Sequence, residues 1–310
     1  MKQINSDKYF FVINPNAGNE DGKKEWPNIV ELLLEENIYF DFEFTDSTGH
    51  AERIVIEKIQ EGFKKFIVVG GDGTLNEVVN GIFKQNHTPS SDIYIGIFCM
   101  GTGNDWARYY GFSKSHIDAV ERLKNGDSKV QDVGKIEYGK GNNPKHAYFI
   151  NIAGLCYDSV VVHATNEMKE RGKRTAMGYL QSLLKSLIHY KPWKLKVFIN
   201  DEVLEGKFLS ISIGIGKFSG GGMIQTPNAV IDDGYFDVTI YPNMSKLKMI
   251  FNVRKLYNGK ILSIKGVKSF RTKQLNIEAK NATFAQTDGE IIGNAPYEIT
   301  VIPQSINILI

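Results

Sequence analysis

Apolar residues along the first 134 positions follow two alternating patterns, short continuous runs and stretches spaced for a helix. Tyr9-Phe10-Phe11-Val12-Ile13 is an unbroken apolar run that stops at Asn14-Pro15-Asn16-Ala17-Gly18. A helical stretch over 26–36 follows. Ile38, Phe40, Phe42 and Phe44 then fall on alternate positions, and Ala51, Ile54, Val55 and Ile59 return to helical spacing. The runs 66–69 and 94–98 are again short and apolar, each followed by a glycine-rich turn. Strands without polar alternation are those buried on both faces, as in parallel sheets. The repeated alternation predicts a doubly wound α/β domain, and such sheets bind ligands beyond the carboxyl ends of their strands.

From 132 onward the pattern becomes mainly β, with strand-like segments at 148–153, 193–199, 208–215, 235–241 and 276–287. Tyr179, Leu180, Leu183, Leu184 and Leu187 share one face of a predicted helix, a second helix is expected over 246–257, and 297–302 and 306–310 are strand-like. The organisation expected is therefore α/β plus β: an α/β domain over 1–134, a β-rich domain over 135–298, and a tail of about 299–310 that packs back on the first. A length of 310 residues suits two cores. No run reaches the roughly 18 to 20 apolar residues that span a bilayer, and the apolar stretch near the start is too short for an export signal.

Composition removes several classes. Lys plus Arg number 37 against 35 Asp plus Glu, so a net charge of +2 gives no footprint for nucleic acid. Cys99 and Cys156, the only cysteines, lie in apolar runs, which excludes a disulfide framework or Cys-rich metal site and fits a reducing, cytoplasmic setting.

The sharpest chemical signal is Gly70-Gly71-Asp72-Gly73-Thr74, between the 66–69 run and the helical pattern of Leu75, Val78, Val79 and Ile82. Thr74 and Glu77 have the spacing of a capping box, which predicts a helix start with free N–H groups at the turn. Glycines let backbone approach a phosphate, and an acidic residue among them implies a Mg²⁺ ion between carboxylate and phosphate, since a plain turn has no use for Asp72. A second turn, Gly101-Thr102-Gly103-Asn104-Asp105-Trp106-Ala107-Arg108, again joins small residues to a carboxylate. Gly134 to Lys140 fits Gly-x-x-x-x-Gly-Lys, but Gly141 stands where a P-loop needs Ser or Thr. Protein-kinase motifs and zinc spacings are absent.

These residues resemble the diacylglycerol kinase catalytic superfamily, in particular its soluble bacterial lipid kinases, with sphingosine kinases as relatives. Gly70 to Glu77 matches the family's Gly-Gly-Asp-Gly-Thr-x-Asn-Glu signature, and Gly101 to Arg108 its Gly-Thr-x-Asn-Asp-aromatic-Ala-Arg turn. Asn14 to Gly18 and Thr45-Asp46-Ser47-Thr48-Gly49-His50-Ala51 are similar to its earlier segments, and Asp132-Val133-Gly134, Gly220-Gly221-Gly222 and Asp288-Gly289-Glu290 follow in the family's order. The resemblance implies an amino-terminal NAD kinase/diacylglycerol kinase-like domain with a β-sandwich lipid domain. It implies ATP contacts at Asn14, Pro15, Asn16, Ala17, Gly18, Thr45, Gly71, Asp72, Gly73, Thr74, Leu75, Asn76, Glu77 and Thr102. It further implies a carboxylate network of Asp72, Asp105 and Asp132 for catalytic Mg²⁺, catalytic carboxylates Asp288 and Glu290, and a structural Mg²⁺ at Val230, Asp233 and Tyr235. Cys99-Met100, where the family often has a proline, and Gly154-Leu155-Cys156-Tyr157 depart from its pattern and leave lipid specificity open.

The activity so implied is transfer of the γ-phosphoryl of ATP to a lipid hydroxyl, with diacylglycerol giving phosphatidic acid. The alternatives are a small-molecule kinase of the NAD kinase type, which shares a Gly-Gly-Asp-Gly-Thr turn, and a non-catalytic nucleotide- or lipid-binding regulator. A lipid acceptor implies peripheral membrane contact, and a homodimer stays open. Residues 163–196 carry eight Lys or Arg against two Glu, the expected site of that contact, while a solvated loop beside a core-facing helix accounts for the segment equally well.

Overall fold

A computed structural model describes residues 7–18, 20–139, 144–170, 186–187, 190–281 and 283–310. The chain folds as two compact units, one of residues 1–131 with 304–310, the other of residues 132–303.

In the first unit, β1 (Tyr9–Ile13), α1 (Asp21–Glu35), β2 (Phe40–Phe44), α2 (His50–Gln60), β3 (Lys65–Gly70), α3 (Asp72–Lys84) and β4 (Tyr94–Cys99) alternate as the hydrophobic pattern predicts. The helices α4 (Asp105–Tyr110) and α5 (His116–Asn125) follow. β1 pairs in parallel with both β2 and β3, and β3 with β4, giving the spatial order 2-1-3-4. Asn307 and Ile308, in the last strand, extend the sheet beside β4. Every β1 residue is buried, because helices cover both faces of a doubly wound sheet. β2 is the edge, and its exposed Phe42 and Phe44 lie against the Trp26 ring of α1. In an order of this kind the chain reverses direction across the sheet between β1 and β3, and loops leaving the two strands there diverge to form a crevice.

The second unit is mainly antiparallel. β5 (Ser128–Tyr138) enters it and pairs with β6 (Lys145–Phe149). β7 (Ile152–Cys156) leads into α6 (Tyr157–Glu170), and β8 (Trp193–Ile199) into the long β9 (Glu202–Gly214). β9 pairs with β8 along its first half and with β7 and β12 (Phe236–Pro242) along its second, while a short ribbon joins β10 (Phe218–Ser219) to β11 (Met223–Ile224). After α7 (Lys246–Tyr257) come β13 (Lys268–Thr272), β14 (Gln274–Ala279), β15 (Phe284–Thr287), β16 (Glu290–Asn294) and β17 (Tyr297–Leu309).

Three expectations change. The apolar run 148–153 divides at Ile150 and Asn151 into β6 and β7, because the backbone N–H groups there serve a carboxylate rather than a ladder. Residues 276–287 form two strands with different neighbours, β14 beside β8 and β15 beside β7. The tail is one continuous strand, since Gln304 adopts a positive φ of 46° without leaving it. The predicted helix at Tyr179 to Leu184 and most of the basic 163–196 segment, including Arg171, Lys173, Arg174 and Lys185, lie outside the described residues, as does the Lys169 side chain. Among the described residues no helix is long and apolar enough to cross a membrane.

Candidate active site

The turns after β1, β3 and β4 converge at the reversal between β1 and β3. Asn14 N–H donates to Val69 O at 3.0 Å, Met100 N–H to Gly70 O at 2.8 Å, and Thr45 N–H to Ile13 O at 2.8 Å. Asn14 Nδ2 donates to Thr74 Oγ1 at 3.0 Å, tying the first turn to the start of α3. A Cβ on Gly71 would stand 2.9 Å from the Gly101 Cα, so the two glycine turns touch through bare backbone. Any side chain at either position would part them.

The capping box expected at Thr74 and Glu77 does not form. α3 starts three residues earlier, with Gly71 as N-cap and no side-chain cap bond, which puts Thr74 inside the first turn. Glu77 instead accepts from Gly49 N–H at 2.8 Å and Ala51 N–H at 3.1 Å, satisfying donors at the start of α2. Leu75 and Asn76 are buried in α3, and the Leu75 N–H donates to Gly71 O at 3.1 Å.

Asp72 has a structural partner that the sequence reading denied it. Its Oδ2 accepts from Asp105 N–H and its Oδ1 from Trp106 N–H, each at 3.2 Å. It therefore caps α4 from the neighbouring turn. A Cβ on Gly103 would lie 3.2 Å from Asp72 Oδ2 and 3.4 Å from Asp105 Oδ2, so both carboxylates flank that glycine. Asn104, buried and left-handed at φ 48°, has an Oδ1 without a hydrogen-bond partner beside Gly71 and Gly101. A buried acceptor in this state calls for a donor or cation. Hard oxygen donors, two of them carboxylates, beside bare glycine backbone fit a magnesium-bearing triphosphate, because Mg²⁺ takes one or two carboxylates and completes its shell with phosphate and water. Thr102 is exposed on the same turn.

Asp132 belongs to the second unit, where its backbone and its carboxylate each bond the loop before β12. Its N–H donates to Ile231 O at 2.7 Å and its Oδ2 accepts from Gly234 N–H at 2.6 Å, with no exposed surface. The expected structural-metal loop is the same loop. Asp233 Oδ1 accepts from Tyr235 N–H at 3.0 Å, and Oδ2 accepts from the Arg271 guanidinium at 2.7 Å, which also lies 4.1 Å from the Tyr235 ring centroid. Asp233 thus pairs with a cation supplied by the chain, the exposed Arg271, which a metal held through that carboxylate would have to displace.

Asp288 and Gly289 are the two central residues of the β15–β16 hairpin, between paired Thr287 and Glu290. Both have positive φ, 49° and 93°, the requirement of the tight turn that favours Asp-Gly. The carboxylate folds back: Oδ2 accepts from Ile150 N–H at 2.8 Å, and Oδ1 from Asn151 and Ile152 N–H at 3.0 and 2.9 Å. The turn is held from a second side by residues the sequence reading passed over. Gly289 N–H donates to Gln286 Oε1 at 2.8 Å, Gln286 Nε2 to Asp158 Oδ2 at 2.8 Å, and Asn166 Nδ2 to Gly289 O at 3.0 Å. Asp158 Oδ1 accepts from Gln225 Nε2 at 3.0 Å. Burial pushes the Asp158 carboxyl up from its ordinary value, against the opposing effect of the two amides. A lone carboxylate in the apolar stretch 152–162 was the available signal. In the first unit, buried Gln131 accepts from Trp106 Nε1 and the Tyr110 hydroxyl and holds the Gly101 turn's aromatic residue in place.

The described residues contain no cluster of three or more His, Cys, Asp or Glu able to hold a metal by themselves. Residues 8–136 match the diacylglycerol kinase catalytic domain, and residues 151–310 match the YegS C-terminal NAD kinase beta sandwich-like domain. A Bacillus subtilis protein named as a candidate lipid kinase, YtlR, is 29% identical, covering 97% of this chain and 98% of its own length. The Staphylococcus saprophyticus diacylglycerol kinase is 27% identical over 96% and 93% of the two chains. The crystal structure of a Bacillus anthracis diacylglycerol kinase superposes with a TM-score of 0.75 at 23% identity, covering 98% of this chain and 96% of that one. With both halves matched in order and the site turns in place, the chain belongs to the diacylglycerol kinase superfamily, enzymes that transfer a phosphoryl group to an alcohol acceptor.

Proposed function

We propose that this chain phosphorylates a membrane lipid, transferring the γ-phosphoryl of ATP to the hydroxyl of diacylglycerol and releasing phosphatidic acid. The observation that carries this reading is the convergence of the three turns at the β1/β3 reversal, with Gly71 against Gly101 and two carboxylates at Gly103. Phosphoryl transfer asks of a protein mainly positioning and charge neutralisation, and this arrangement offers both.

In the first unit, backbone N–H groups at 71–74 and the hydroxyls of Thr45, Thr74 and Thr102 bind the triphosphate, with the 14–18 turn, whose N–H groups at Asn14, Asn16 and Ala17 are bonded within the protein, held beside them by Asn14. Magnesium, when bound, supplies neutralisation of the phosphate charge; Asp72 and Asp105 are the carboxylates that would hold it. In the second unit, Asp288 receives the lipid hydroxyl proton, and the three N–H donors from 150–152 fix the direction its carboxylate faces. Glu290, one residue beyond the turn, is the accompanying carboxylate. A lipid acceptor brings the protein to a bilayer as a peripheral enzyme on the cytoplasmic side.

Labelled ATP offered with a lipid extract, with purified diacylglycerol and with NAD tests the reading. Organic-extractable label identified as phosphatidic acid supports it. Label on NAD alone moves the chain to nucleotide phosphorylation. ATP binding without transfer to any acceptor makes it a regulator.

A further inference from the structure

The helix α7 inverts the usual rule for a surface helix. Such a helix turns its apolar stripe to the core and its charged residues to solvent. No residue of α7 is buried, and Leu247, Ile250, Phe251 and Tyr257 are 68%, 48%, 82% and 46% exposed. At about 100° per residue, these four fall with Lys246 and Arg254 in a single outward arc of roughly 140°. Met249, Val253 and Leu256, on the adjoining arc, are half-buried, as are Lys248, Asn252 and Lys255 beyond them. The apolar stripe is therefore wider than the side turned to the protein, the pattern of an element that expects cover. Single exposed apolar residues need no explanation, but four large ones on one arc do.

Charge identifies the cover. Between Asp237 and Glu278 the chain has nine Lys or Arg and no Asp or Glu, and although Lys268 and Arg271 pair with Glu202 and Asp233, the segment is strongly basic in a protein whose net charge is +2. Lys260 and Lys265, just after the helix, are exposed. The helix is formed in advance: Ser245 Oγ accepts from Lys248 N–H at 3.3 Å, and Lys248 Nζ donates to Lys265 O at 3.2 Å. A convex apolar arc interleaved and flanked by cations matches a surface that offers hydrocarbon and negative charge together without a shaped pocket, which an anionic bilayer does.

We propose that α7 docks the protein on an anionic lipid surface, with Leu247, Ile250 and Phe251 below the headgroups and the surrounding lysines and arginines among them. This goes beyond the catalytic reading and does not depend on it.

The test is sedimentation of the full chain with vesicles of phosphatidylcholine alone and of phosphatidylcholine with phosphatidylglycerol. Binding is expected to the mixed vesicles, weakening as salt rises. Phe251→Asp lowers the partition coefficient by about 10- to 100-fold, the equivalent of burying one large apolar side chain, and Leu247→Asp with Phe251→Asp lowers it further. Both side chains face solvent, so an unchanged thermal midpoint verifies that the variants are folded. Variants that sediment like the parent would overturn the proposal and assign the contact elsewhere, residues 163–196 first. A parent that ignores both vesicle types overturns it too, as does self-association abolished by Phe251→Asp without vesicle binding, which assigns the arc to a second copy. A chain that binds these vesicles yet phosphorylates no lipid counts against the proposed function alone.

Discussion

Asp288→Asn is the natural substitution for removing a proton acceptor, and the structure predicts that it also damages the fold. The carboxylate serves three backbone N–H groups, two on Oδ1 and one on Oδ2, all from the buried segment 150–152. An amide keeps one oxygen. In its better orientation it retains Asn151 and Ile152 and sets an NH₂ against the Ile150 N–H, donor facing donor. A hydrogen bond to a charged group is worth about 1.5–3 kcal/mol, and stranding a buried N–H costs about 1–3 kcal/mol. These overlap rather than add, so a loss of about 2–4 kcal/mol is expected. At about 2–4 °C per kcal/mol for a unit of this size, the midpoint of the second unit falls by about 4–16 °C. Circular dichroism during heating measures it, and a shift within about 1 °C would refute the clamp as a stabilising contact. Turnover must then be read against a control of matched stability that keeps Asp288. Gln286→Ala removes the acceptor of the Gly289 N–H and a donor to the buried Asp158 carboxylate, and serves where its midpoint matches that of Asp288→Asn. If Asp288 is the base, Asp288→Asn loses about 100- to 10,000-fold in turnover beyond that control. Equal losses would reduce Asp288 to a positioning residue.

Three further outcomes follow from the same contacts. Glu77→Ala strands the N–H groups of Gly49 and Ala51 at the start of α2; a loss of about 1–3 kcal/mol in urea unfolding is expected, and an unshifted midpoint would deny the cap. Burial raises Asp158 in the folded state. The unfolded chain then gives up its proton first, so stability falls as pH rises from the ordinary carboxylate value to the raised one and is flat above it. Asp158→Asn cannot titrate, and denaturation midpoints of the two proteins against pH should diverge across that window; parallel curves would show that Asp158 does not carry the effect. The Arg271 guanidinium occupies Asp233, so without nucleotide the thermal midpoint should be the same in chelator and in magnesium, whereas Arg271→Ala lowers it. A parent protein destabilised by chelator would restore a metal to that loop.

The sequence revealed most where one signal had one physical meaning. Continuous apolar runs ending in glycine turns specify buried parallel strands, and β1, β3 and β4 fall within a residue or two of the runs that announce them. The second unit was legible as β but not in its divisions, because whether 148–153 is one strand or two depends on a carboxylate more than 130 positions away in the chain. The Asp-Gly turn at 288 was readable as a hairpin from local chemistry, while its clamp on 150–152 was not. Asp158, Gln225 and Gln286 carry no motif; what makes them matter is that burial forces each polar group to find another. The capping box failed for a related reason, since Thr-x-x-Glu describes a local bond and Glu77 had a better partner on α2.

The acidic residues of the signatures share one feature that the motifs do not state. Asp72, Glu77, Asp132 and Asp288 each accept backbone N–H groups from a remote segment, separated by 33, 28, 102 and 138 positions for one bond of each. Each is thus a carboxylate set on fixed N–H dipoles, two of them, Asp72 and Glu77, at helix starts where the macrodipole favours negative charge. That arrangement offsets each carboxylate's charge locally, so an acidic residue such as Asp72 can stand in a turn that receives a polyanionic substrate. It also means that these residues hold the turns in register before any ligand arrives. Loss of activity on replacing one of them is therefore ambiguous between chemistry and architecture. The two separate only when a variant keeps the N–H bonds and changes the charge, or breaks the bonds from the donor side and leaves the carboxylate in place.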